Sequence, residues 1–115
     1  MSKVIAALLD TSYQDTQLLI SNDEKGDNFS EFRAVDFTLY AKTREKGELA
    51  AGFINDNNYG KATYEDVENN HRIKVVINMP TTQNILCSVS GLMTCLAALY
   101  DLQYDGWGCV LQTNE

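Results

Sequence analysis

The side chains best equipped for chemistry in this 115-residue sequence are one histidine, three cysteines and sixteen carboxylates. His71 stands between Asn70 and Arg72 in a polar stretch. A histidine acting as a general base needs a nucleophile within reach and a third group to orient it, and no pattern around His71 supplies either. Cys87 and Cys95 lie eight residues apart on one predicted helix, about 12 Å along its axis at roughly 1.5 Å per residue. They can share neither a metal nor a disulfide within that helix. With Cys109 they make an odd number without a C-x-x-C spacing, so we read all three as buried free thiols. Glu65 and Asp66 are neighbours on a predicted strand, which turns them to opposite faces and denies them a shared acid–base or metal site. Gly106-x-Gly108 lacks the rest of a dinucleotide fingerprint. The residues therefore assign no catalytic group, no metal site and no cofactor.

Charge points toward a partner. The net charge is -7 with a pI near 4.5. Such a surface repels phosphate backbones, so direct nucleic-acid binding is disfavoured and a basic protein is the natural complement. The first residues imitate a signal peptide briefly, but Asp10 ends the apolar run without a small-residue cleavage site. We see no stretch near the roughly 20 apolar residues that span a bilayer. The expectation is a mature cytoplasmic protein with no membrane association.

Periodicity supplies the elements. Val4, Leu8, Leu9, Leu18 and Leu19 predict a helix over 3–22, whose middle is blurred by a polar stretch. Asp10-Thr11-Ser12 could instead cap a second helix there. Lys25-Gly26-Asp27-Asn28 reads as a stop, with glycine suited to a left-handed C-cap. Residues 33–41 alternate, with Val35, Phe37 and Leu39 on one face and Asp36, Thr38 and Tyr40 on the other. Thr43 then caps a helix lined by Leu49, Ala50, Phe53 and Ile54, which ends at Asn55-Asp56-Asn57-Asn58. A strand over 59–67 turns at Asn69-Asn70-His71 into a second over 72–79, and Pro80 stops it. A helix over 82–102 carries Ile85, Val89, Leu92, Leu96 and Leu99 as its core stripe, flanked by Leu86, Met93 and Tyr100. A last strand spans 104–112.

No linker, repeat or low-complexity tract divides the chain, so we read residues 1–115 as one domain. After the first helix the order is strand, helix, strand, strand, helix, strand. Two such β-α-β halves interleave into a four-stranded antiparallel sheet with both helices on one face. The expected class is α+β, a ferredoxin-like βαββαβ fold with an extra N-terminal helix.

Two segments carry a family resemblance. One is Gly26-Asp27-Asn28-Phe29-Ser30-Glu31-Phe32-Arg33-Ala34-Val35-Asp36-Phe37; the other is Tyr104-Asp105-Gly106-Trp107-Gly108. Together they resemble the regulator of ribonuclease activity B (RraB) family, protein inhibitors of the endoribonuclease RNase E. Members show a G-D-D-L-S-type turn, an R-x-V-D strand entry and a Y-D-G-W-G signature. The resemblance spans about residues 12–112. Phe32 departs from the proline common before the arginine, and Cys109 from a small hydroxyl residue. The long acidic runs of the best-known members are missing.

What the resemblance implies is binding without turnover: a regulatory domain docked on RNase E or another basic protein, affecting RNA decay. Charge and family together place the expected contact surface on Asp23, Glu24, Asp27 and Glu31, with Asp56, Glu65, Asp66 and Glu68 as a second set. Of the motif residues, we read Trp107 as a core anchor and Asp105 as a turn cap; Arg33 and Asp36 could form an ion pair or contact a partner. Exposed strand edges leave a homodimer open. An acidic immunity or antitoxin protein shares this binding chemistry. A small enzyme on a ferredoxin-like sheet would need a cleft of convergent polar groups.

Overall fold

The computed structural model describes residues 2–114, and its elements are α1 (Lys3–Glu24), β1 (Arg33–Ala41), α2 (Arg44–Asp56), β2 (Lys61–Val67), β3 (Asn70–Met79), α3 (Gln83–Tyr100) and β4 (Leu102–Cys109). The sheet order is β2-β3-β1-β4, and each neighbouring pair is antiparallel. This is the ferredoxin-like arrangement expected from the element order.

Alternation on β1 decides which face is covered. Val35, Phe37 and Leu39 are fully buried, whereas Asp36, Thr38 and Tyr40 on the opposite face are only half-buried. The core joins that strand to Ile73 and Val75 of β3, to Ala50, Ala51 and Ile54 of α2, and to Leu86, Met93 and Leu96 of α3. Fully burying one such Leu, Ile or Phe side chain is worth about 1.5–3 kcal/mol. The extra helix α1 packs on α3, with the Leu8 side chain lying over Gly91.

Continuity of α1 is settled by where its central hydroxyl goes. Thr11 bonds across to Thr94 of α3 at 2.9 Å, and Asp10 accepts from the Gln14 side chain at 3.0 Å, so neither starts a second helix. At the helix end Gly26 is left-handed (φ 85°). Its N–H donates to Asp23 O at 3.0 Å and that of Asp27 to Asn22 O at 3.1 Å, the paired bonds of a Schellman motif.

Several boundaries differ from the sequence reading, the end of α1 (Glu24) and the start of β4 (Leu102) by two residues each. The β2–β3 turn falls on Glu68 and Asn69, both with positive φ (53° and 67°), the two-residue geometry that matches strand twist. His71 is consequently a strand residue. The strand β2 begins at Lys61, because the backbone of Tyr59 still closes the end of α2 by donating to Ile54 O at 3.0 Å. The helix α3 stops at Tyr100, where Asp101 turns left-handed (φ 56°). Finally, β4 ends at Cys109: the chain beyond leaves the sheet, and Gln112 pairs with the loop before β1 through Asn28 N→Gln112 O at 2.9 Å.

The core stripe of α3 is also rotated from the expected one. Ile85 and Leu99 are exposed, while Leu86, Ser90, Met93, Thr94 and Leu96 are buried. Because α1 occupies one flank of α3, small polar residues there are covered and the outermost leucine is not. By length and mean hydropathy (1.3 over 18 residues) α3 could cross a membrane, contrary to our reading of the sequence, yet a core helix has the same composition. Here it packs against the sheet and α1.

Candidate functional site

The Tyr104–Asp105–Gly106–Trp107–Gly108 segment forms most of β4, an edge strand. Its register against β1 slips between Phe37, which faces Trp107, and Leu39, which faces Tyr104. Asp105 and Gly106 are thus the two residues of a β-bulge, and Gly106 has φ 92°. A Cβ there would meet nothing within 4 Å, so backbone conformation and not space requires the glycine. The bulge keeps both rings on the helix-covered side. Asp105 is exposed within the strand and does not cap a turn.

Trp107 is half-buried, less a core anchor than expected, and its ring is held by a specific bond. The indole Nε1–H donates to Asp15 Oδ1 on α1 at 3.0 Å. Tyr104 Oη lies 2.8 Å from Ser90 Oγ of α3. Burial pushes the Tyr104 phenol well above its usual range, so it stays protonated at any physiological pH. Asp15 is only 4% exposed, and its Oδ2 has no hydrogen-bond partner among the described residues. Loss of water raises its pKa; the nearby Ser90 hydroxyl and the Trp107 indole pull it part of the way back.

A cleft of about 230 Å³ opens between α1 and this strand. Asp10, Asp15 and Asp105 bring three carboxyl groups to it; Trp107 and Tyr104 bring two aromatic rings. None of the described residues lining it is cationic. Our sequence reading included Tyr104, Asp105, Gly106 and Trp107 but missed Asp15. The available signal was a carboxylate on the same helix face as Leu8 and Leu19, seven residues after the one and four before the other.

The carboxylates named from charge are dispersed. Asp23 and Glu24 are exposed at the end of α1, and Glu31 is exposed before β1. Asp27 is buried instead: Arg33 Nη1 donates to both its oxygens at 2.8 and 2.9 Å, and the Gln112 N–H donates to Oδ1 at 2.8 Å. Arg33 Nε and Nη2 donate to Glu31 O and Asn28 O, and both side chains are buried, so this pair does not face a partner. Asp36 turns to the open face and pairs with Lys74 at 3.5 Å, so Arg33 and Asp36 have different partners. Asp56 is exposed at the end of α2. Glu65 pairs with Arg72 on the open face, Asp66 accepts from the Asn69 N–H at 3.1 Å, and Glu68 is exposed in the turn. That hairpin lies at the Ala41 end of β1, whereas Asp27 and Glu31 adjoin its Arg33 end. Nine residues of strand, about 27 Å at roughly 3.4 Å per step, separate the two groups.

The remaining reactive types are structurally engaged. His71 Nδ1 lies 2.6 Å from Tyr64 Oη, with the two rings stacked. All three cysteines are free and half-buried, more accessible than we read them. Burial, with the Asp15 carboxylate adding to it, raises the Cys87 thiol; burial raises Cys109, offset in part by Arg33. Both are poor nucleophiles at neutral pH. Among the described residues no group of three or more His, Cys, Asp or Glu is placed to hold a metal ion.

None of the curated proteins compared with the chain matches it. The family model for regulator of ribonuclease activity B does match, over residues 13–109, and so takes in Asp15, the Arg33 turn and the whole bulged segment. A match across that share of the sequence makes this chain a member of the regulator of ribonuclease activity B family.

Proposed function

We propose that the protein acts by binding an endoribonuclease of the RNase E type and thereby lowers the rate of RNA turnover in the cytoplasm, without catalysing a reaction itself. The observation that carries this reading is the family match over 13–109. Two features support it. The cleft at β4 gathers carboxyl groups and aromatic rings but has neither thiol nor imidazole in its lining, a composition suited to recognition. Exposed carboxylates at Asp23, Glu24 and Glu31 extend the acidic surface that a basic segment would meet.

The test is cleavage of a structured RNA by purified RNase E, with and without the protein, at low and high salt. Slower cleavage in its presence, with the effect weakening as salt rises, is the expected result. Unchanged cleavage at saturating protein rejects inhibition. Recovery of a secreted toxin from lysate in place of the nuclease would move the assignment to an immunity protein.

A further inference from the structure

We propose that the cleft between α1 and β4 seats an arginine side chain donated by the partner protein. The proposal rests on the reading that this chain docks on a protein, and adds which side chain it captures and where. Three observations converge. Asp15 is more than nine-tenths buried among the residues lining the cleft, yet its Oδ2 has no hydrogen-bond partner among the described residues. Buried polar groups are ordinarily satisfied, and an orphaned carboxylate oxygen is the exception that asks for an external donor. Asp10 and Asp105 add negative charge at the rim, with no lysine, arginine or histidine among the described lining residues to neutralise it. Trp107 and Leu18 line the passage, giving a long aliphatic stem an apolar wall and a planar cation an indole to lie against.

Among cations, guanidinium fits this composition best. It is planar, weakly hydrated, and carries several donors in a fixed fork that a carboxylate accepts, while its stem reaches a recessed group. Ammonium is more strongly hydrated and gains less from the indole. The movable part of the rim is Gln14, held to Asp10 by one exposed hydrogen bond of 3.0 Å. Its displacement frees Asp10 for the same guanidinium.

Trp107 is the only tryptophan in the chain, so its indole Nε1–H gives one nuclear-magnetic-resonance signal at the site. The experiment titrates the isotope-labelled protein with a capped Gly-Arg-Gly peptide and with its citrulline counterpart, which is nearly isosteric but neutral. A saturable shift of the Trp107 and Gly106 signals with the arginine peptide is expected, weaker by about tenfold or more for citrulline. Asp15→Asn, which keeps a carbonyl to accept from the indole, removes the shift, while the Asp23→Asn/Glu24→Gln variant retains it. Asp105→Asn, on the exposed bulge, is the second variant should Asp15→Asn fail to fold, and it weakens the arginine shift. Equal shifts from both peptides, no saturable shift, or a full shift in a folded Asp15→Asn protein overturns the proposal. The titration contains no ribonuclease, so its failure leaves the docking reading to its own test.

Discussion

Asp15 and Asp27 are both buried aspartates on the border of the same sheet, and they are treated in opposite ways. Asp27 accepts from Arg33 and from the Gln112 backbone, so its charge is paired and the end of the chain is tied to the turn before β1. Asp15 Oδ1 accepts from the Trp107 indole, while its Oδ2 has no hydrogen-bond partner among the described residues. Charge is placed in low dielectric in both cases, but only the first arrangement repays its desolvation from within the fold. A residue that remains half-satisfied where water is scarce lowers stability, and such a cost marks a place where something outside the fold completes the set. The contrast separates a motif that builds the domain, Asp27 with Arg33, from one that can serve recognition, Asp15 with Trp107.

The comparison is broken most severely at Arg33. Arg33→Ala leaves Asp27 buried without its cation and is expected to cost about 3–5 kcal/mol, read from urea unfolding. A loss under about 1 kcal/mol would show that the Asp27 pair is not the structural one. Trp107→Phe keeps a ring but removes the indole donor from Asp15 Oδ1, leaving the nearby Ser90 hydroxyl to favour the charge; about 1–3 kcal/mol is expected by the same measurement. Wild-type stability in that variant would mean that Asp15 finds another donor.

The smallest effect has the opposite sign. Asp15→Asn replaces a desolvated acid by a neutral group of the same shape and should stabilise the protein at pH 7 by on the order of 1 kcal/mol. The folded protein holds the Asp15 proton more tightly than the unfolded chain, where the ordinary value is 3.8. The stability contributed by this residue is therefore fully present below pH 3.8 and is lost as pH rises through the folded-state value. Thermal unfolding should show the advantage of Asp15→Asn growing from acid toward neutral pH. A difference independent of pH would remove burial of the charge as its cause.

Much of this was readable in the chain. The alternation of Val35, Phe37 and Leu39 named both the strand and its covered face, and Gly26 was recognisable as a left-handed helix stop before its φ of 85° was known. Those signals are local. Legibility failed where a distant element intervened: the buried face of α3 rotated because α1 lies along it, which no periodicity within α3 records. His71 moved from turn to strand because Glu68 took a positive φ, a conformation its side chain does not advertise.

The candidate site divides along the same line. Residue order alone determined the element sequence and the antiparallel sheet it folds into, since these follow from period and handedness. Which aspartate would be paired and which left short of a donor was decided only when α1 met β4, bringing residues 15 and 107 to 3.0 Å across 92 positions of chain. Charge composition is blind to that distinction, because a carboxylate's cost depends on the donors and water around it, and folding alone sets both.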